Sequence, residues 1–279
     1  GAEFTPKIEL FAPDGALKSA TQDVAGTTID TVIYLEGTCT VLISDATKSG
    51  AGTYQLLLTR GTIAPPDTNV LTNGATVLGS ISPAGHEDRW TFPASVGESI
   101  IIRAGETVTG SSLIPQLRLY NPDGVLIDSA GASAAAEVTV RATNSGTFTV
   151  SVRDNNGGSG TGNYRLSLAK TGSPVVVSPA DEGGVLTNGI VYLASIETGD
   201  IDTWTFTANA GENIIVRMGE MASSTLTPYL RLYGPDGVLL SSSSAAVAAE
   251  VTTRATNGGT FLVVAGDFSS GWTGTGNYR

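Results

Sequence analysis

Leu117-Arg118-Leu119-Tyr120-Asn121-Pro122-Asp123-Gly124-Val125-Leu126 is answered 113 positions later by Leu230-Arg231-Leu232-Tyr233-Gly234-Pro235-Asp236-Gly237-Val238-Leu239. In both stretches leucines alternate with polar residues, the two-residue period of a half-buried strand, and a Pro-Asp-Gly turn then reverses the chain. The correspondence extends outward. Asp88-Arg89-Trp90-Thr91-Phe92 returns as Asp202-Thr203-Trp204-Thr205-Phe206, and Gly160 to Arg165 returns as Gly274 to Arg279, both at 114. A weaker copy stands first: Pro6, Leu10, Pro13-Asp14-Gly15, Gly37-Thr38 and Asp45 fall on Pro115, Leu119, Pro122-Asp123-Gly124, Gly146-Thr147 and Asp154 at an offset of 109. A period near 114 suits a whole domain and is too long for a solenoid.

The chain thus divides into three copies of one domain: residues 1–62 as the C-terminal half of a copy, 63–172 as a full copy, and 173–279 as a copy lacking its last strand. A half sandwich exposes an apolar face and unpaired edges. Either flanking sequence or a head-to-tail contact between chains, giving a fibre, is expected to complete it. In the first copy strands are expected at Lys7 to Phe11, Ile29 to Leu35, Thr38 to Ser44 and Thr53 to Thr59.

Strand alternation recurs throughout the middle copy, at Trp90/Phe92, Val138/Val140, Phe148/Val150/Val152 and Tyr164/Leu166/Leu168. The run Ile100-Ile101-Ile102 is apolar throughout, as a central strand would be. Turn residues punctuate these runs, and no 3.6-residue period is sustained, so the fold class is all-β: tandem antiparallel β-sandwiches of jelly-roll type. The Ala-rich stretches Ala132 to Ala136 and Ala245 to Ala249 are read as loops feeding strands. The connectors between copies are short and contain Pro65-Pro66, Pro174 and Pro179, which limits swivelling.

Charged residues make up 15% of the 279 and the net charge is -11, so no basic stripe exists for nucleic acid. No apolar run reaches membrane-spanning length, so no membrane insertion is expected. The one cysteine, Cys39, takes the place of Phe148 and Phe261 in the Gly-Thr-x context, which predicts an inward-facing core position.

The order Asp202-Thr203-Trp204-Thr205-Phe206, Ala210-Gly211-Glu212, Leu230 to Tyr233 with Pro235-Asp236-Gly237, Gly259-Thr260-Phe261 and Gly276-Asn277-Tyr278 resembles the bacterial pre-peptidase C-terminal domain family. That family is similar to the collagen-binding domains of bacterial collagenases. The resemblance implies a secreted or cell-surface, non-catalytic accessory module. Such a module is a structural, spacer or adhesive element, or one that targets a linked hydrolase to polysaccharide or fibrous protein.

The resemblance also implies a calcium position at carboxylates before the aromatic strand, joined by an acidic run at the domain entry. Asp200 and Asp202 match the first element, and Asp181 with Glu182 match the second. In the middle copy the counterparts are His86, Asp88 and Asp67, a poorer set. The reading from the residues makes Asp88 and Asp202 acceptors of turn hydrogen bonds, so no cofactor and weak or no metal dependence are expected, with any calcium confined to Asp200, Asp202 and the Asp181-Glu182 segment. His86, the only histidine, has Asp200 as its repeat-mate, and no nucleophile elbow or zinc motif accompanies it, so no enzyme is expected. Trp90 and Trp204 are expected in the core. Trp272, in a Gly-rich loop, is a candidate ligand contact or tucks onto its own sheet. The recurring Arg103/Arg217 and Arg118/Arg231, with their glutamates, read as ion pairs on solvated faces.

Overall fold

The computed structural model describes residues 2–24, 26–29, 31, 37–58, 69–179, 181–222 and 224–279. The first copy holds β1 (Ala2–Glu3), β2 (Pro6–Phe11), β3 (Leu17–Gln22), β4 (Thr40–Asp45) and β5 (Gly50–Ala51). The middle copy holds β6 (Asn69–Val70), β7 (Thr76–Ile81), β8 (Glu87–Ala94), β9 (Ser99–Glu106), β10 (Pro115–Tyr120), β11 (Leu126–Gly131), β12 (Ala135–Arg141), β13 (Gly146–Asp154) and β14 (Gly162–Lys170). The last holds β15 (Gly183–Val185), β16 (Ala194–Ile196), β17 (Ile201–Ala208), β18 (Asn213–Gly219), β19 (Pro228–Tyr233), β20 (Leu239–Ser244), β21 (Ala248–Arg254), β22 (Gly259–Asp267) and β23 (Gly276–Tyr278). A three-residue 3-10 turn at Ser270–Trp272 is the only helical element among the described residues.

The middle copy is a sandwich of a β11-β10-β13-β8-β6 sheet on a β12-β9-β14-β7 sheet. Trp90, Phe92, Leu117, Leu119, Phe148, Val150 and Val152 from the first meet Ile100, Ile102, Val138, Tyr164, Leu166 and Leu168 from the second. Each large side chain so buried contributes about 1.5–3 kcal/mol, enough in sum to order the sheets. The last copy repeats the first sheet as β15-β17-β22-β19-β20 and faces it with the pairs β18-β21 and β16-β23. The Ala-rich stretches are strand at their ends, since β12 begins at Ala135 and β21 at Ala248.

All three copies share small constraints. A hairpin bulge falls between Leu10 and Phe11, Leu119 and Tyr120, and Leu232 and Tyr233. Gly37, Gly146 and Gly259 have positive φ, and a Cβ there would lie 2.8–2.9 Å from Pro13, Pro122 and Pro235. Asp45, Asp154 and Asp267 each accept the backbone N–H forty residues earlier, from Thr5, Ile114 and Thr227.

The first copy has only the β3-β2-β4 sheet and a short parallel β1-β5 pair among the described residues. Of those residues only Ala12 is a buried hydrophobic. Cys39 departs from its expected place: it is half-buried where Phe148 and Phe261 are fully buried, because no facing sheet covers it among the described residues. Residues 52–58 are not a strand either, and Leu56, Leu57 and Leu58 are exposed. Their counterpart β14 is held by ladders to β9 and β7, and no described strand plays those parts here. The strand expected at Ile29 to Leu35 falls largely outside the described residues.

The middle and last copies meet through a dry joint. Ile101 and Ala169 of the middle copy form one buried cluster with Ile201, Tyr233, Leu262 and Val264 of the last. This explains the unbroken isoleucine run: Ile100 and Ile102 fill their own core while Ile101 enters the joint. Arg103 and Arg231 belong there too, contrary to the solvated reading. Arg103 is fully buried and donates to Glu137 at 2.6 Å, and Arg231 donates to both Glu137 oxygens at 2.7 and 2.9 Å. Burial would raise the Glu137 carboxyl, but the two guanidinium charges outweigh it and hold it below its ordinary value. Ser99 Oγ and Arg141 complete the joint by donating to the carbonyls of Gly237 and Asp236. The connector is fastened as well: Val176 N–H donates to Asn73 O at 2.7 Å, and Ser178 Oγ bonds both backbone groups of Thr76.

Candidate metal centre

β15 runs parallel to β17 with Gly183 opposite Thr203, which carries the residues just before β15 to the start of the aromatic strand. Asp181, Glu182 and Asp202 thereby converge, with one carboxylate oxygen from each within 4.8 Å of the others. Asp200, one alternation earlier, is 3% exposed and accepts from Ile201 N–H and Ser167 Oγ. Glu182 is oriented by Ser195 Oγ at 2.9 Å.

Asp202 is the centre of the group and is fully buried. Its Oδ2 accepts from Tyr278 at 2.5 Å, and the Tyr278 hydroxyl in turn accepts from Trp204 Nε1 at 3.0 Å. Its Oδ1 is buried and has no hydrogen-bond partner among the described residues. An orphaned carboxylate oxygen in a dry site is costly unless something positive meets it. Burial and then the Asp181 charge push the Asp200 carboxyl up to about 7, with Arg165 opposing. Burial and the Asp200 charge raise Asp202 as well, and burial raises Asp181. The donors are all oxygen, the set that suits a hard divalent cation such as calcium and not zinc. Asp181, Glu182 and Asp202 would hold such an ion directly, with Asp200 beside them.

The middle copy repeats the scaffold and changes the centre. Trp90 Nε1 donates to Tyr164 at 2.9 Å and Tyr164 donates to Asp88 Oδ2 at 2.7 Å, as in the last copy. Here Asp88 Oδ1 is bonded to His86 Nε2 at 2.8 Å. The histidine therefore occupies the oxygen that its repeat-mate leaves orphaned. Asp67 lies outside the described residues.

Trp272 lies beside the segment that leads into the centre, its backbone carbonyl accepting from Gly199 N–H at 3.3 Å. Its ring stacks over the Arg103 guanidinium of the middle copy at 4.1 Å and joins Tyr229 and Phe268 in a cluster. One face of the indole is thus taken by the joint, and Phe268, 48% exposed, is the more open ring. Phe268 gives little signal in the sequence, because Arg153-Asp154 and Gly266-Asp267 differ around the shared aspartate and the loops beyond them align poorly.

No protein-family model and no curated protein matches the chain. Among solved structures it is similar to the pre-peptidase C-terminal domain of a Bacillus anthracis collagenase. That match has 20% identity and a TM-score of 0.32 and covers 38% of this chain and 99% of that domain. It is also similar to a Clostridium perfringens structure holding the M60 catalytic domain with the CBM51-1 and CBM51-2 domains. There the identity is 9% and the TM-score 0.25, over 67% of this chain and 32% of that one. No helix among the described residues is long and apolar enough to cross a membrane.

Proposed function

We propose that the chain is a stiff, non-catalytic segment of tandem β-sandwiches that acts as a spacer or adhesive stalk in an exported or cell-surface protein. The joint carries this reading: Glu137 bridging Arg103 and Arg231 inside an apolar seam ties two domains into one body. Charges buried this way favour one closed arrangement, because a seam closed in another register would leave guanidinium groups buried and unpaired. A calcium ion at Asp181, Glu182 and Asp202 would fasten the entry of the last copy to its aromatic strand. Small-angle X-ray scattering tests the idea. The wild-type profile is expected to fit one rigid body and Glu137→Ala to require a swivelling pair. Equal flexibility in both would end the spacer reading.

A second reading, a module that delivers a linked hydrolase to polysaccharide or fibrous protein, is favoured by the surface aromatics Tyr229, Phe268 and Trp272. Titration with insoluble polysaccharide and collagen, comparing wild type with Phe268→Ala, separates it from the first.

A further inference from the structure

We infer that the Asn73 loop is a force clamp: it ties the point where the chain enters the middle sandwich to the connector by which it leaves. Tension along the chain then passes around that sandwich instead of through it. Its use in the molecule rests on the stalk reading above.

The strand order makes such a device necessary. β7 is the edge strand of its sheet and runs antiparallel to β14, the last strand of the copy, with Thr76 opposite Ser167. The start of β7 and the end of β14 therefore lie at one end of the sheet. Cross-strand hydrogen bonds stand perpendicular to the strands, so a pull on those two ends opens the ladder rung by rung, each bond in turn carrying the whole load.

Asn73 is buried between those two ends. Its Nδ2 donates to Lys170 O at 2.8 Å and to Ser173 O at 2.9 Å, and its Oδ1 accepts from Lys170 N–H at 2.7 Å. A side-chain amide suits this place because it offers two donors and an acceptor in one plane. The Asn73 carbonyl accepts from Val176 N–H at 2.7 Å, and Gly74 N–H donates to Leu168 O at 2.8 Å. Further along the connector, Ser178 Oγ accepts from Thr76 N–H at 3.0 Å and donates to Thr76 O at 2.9 Å. Gly74, at φ +83°, carries the connector on its backbone: a Cβ there would lie 2.6 Å from Val175 Cγ1. The exit has a second anchor in Lys170, whose buried Nζ donates to Glu98 Oε2 at 2.7 Å and Ser173 Oγ at 2.6 Å. These bonds lie in parallel between the same two chain segments, so they share the load before the β7–β14 ladder receives it. No residue after Leu168 belongs to the buried core cluster of the middle copy. The bonds from Ser173, Val176 and Ser178 therefore act on the path of the chain and not on the packing inside the sandwich.

The test is single-molecule stretching of the full chain in a Cys39→Ala background, with handles on cysteines introduced at exposed positions. Val70→Cys with Pro179→Cys pulls through the clamp, and Val108→Cys with Val125→Cys pulls across β10 and leaves Asn73 unloaded. Forced unfolding reads the unfolding rate, and a bond lost from the native state changes that rate only where it breaks before the barrier. Through the clamp, Asn73→Ala is expected to speed unfolding at fixed load on the order of 100-fold, the loss of three hydrogen bonds. Across β10 the same variant is expected to change the rate by less than about threefold. Ser178→Ala lies outside the core and serves where Asn73→Ala does not fold; it is expected to speed unfolding about tenfold through the clamp alone. Equal acceleration along both axes would mean that these residues only support the fold, and it overturns the inference, as does no acceleration through the clamp. A direction-dependent clamp in a chain whose joint swivels would end the stalk reading alone, and a stiff chain without direction dependence would end the clamp alone.

Discussion

Arg103 with Glu137 and Arg217 with Glu250 are the same cross-strand pair in two copies of one domain, yet they live in different media. The first is sealed in the joint and shared with Arg231; the second stands in water at 74% and 43% side-chain exposure. In water the pair is screened and contributes little. In the joint, removal of the carboxylate takes from two buried guanidinium groups the partner they share. An identical motif therefore says little about energy until the solvent around it is known. The carboxylate centres teach the same lesson, since Asp88 has His86 on Oδ1 and the Oδ1 of Asp202 has no partner among the described residues.

The sharpest way to break the first comparison is a pair of substitutions. Glu137→Ala is expected to cost about 3–5 kcal/mol in denaturant unfolding. Glu250→Ala is expected to leave the midpoint unchanged, and equal losses would show that the pairs are alike after all. Calcium probes the second comparison. At 100 times its dissociation constant, an ion bound only by the folded chain stabilises by about 2.7 kcal/mol, read as a calorimetric rise in Tm. Asp202→Asn is expected to abolish that rise and His86→Ala to leave it intact. A rise lost with His86 instead would place the ion in the middle copy.

Acid titration sharpens the buried pair further. The folded Glu137 carboxyl lies below its ordinary value near 4.5, so its contribution is fully present above that pH and is lost as pH falls through the folded value. The stability gap between wild type and Glu137→Gln is therefore expected to be widest above about pH 5 and to close on acidification. A gap that widens in acid would mean that the carboxylate is not held by its arginines. The smallest effect concerns Trp272, whose stacking on Arg103 has no aromatic counterpart in the middle copy. Trp272→Ala is expected to cost roughly 0.5–2 kcal/mol, and no change would mark the stack as incidental.

The sandwich is readable in the sequence because strand alternation and turn residues are local and recur with the repeat. The convergence of Asp181 and Glu182 on the aromatic strand came from the likeness to a known family, and the parallel pairing of β15 with β17 supplies its physical cause. The joint is not readable. An isoleucine and an arginine on an outer strand face look the same whether water or another domain lies beyond them. The one local hint is Ile101, apolar on the face that alternation assigns to solvent. Cys39 misleads for a related reason: its strand position matches Phe148, but burial also needs an opposite sheet, and none covers it among the described residues.

Gly105 and Gly199 touch backbone to backbone across the joint, and Gly199 also holds a φ of +71° that side chains resist. A methyl group at Gly105 would act as a wedge between two intact sandwiches, prising open the seam without unfolding either side. Glycine and alanine codons differ by a single base. A single base change can therefore turn a welded junction between two such domains into a hinge, or a hinge into a weld, while each domain keeps its fold.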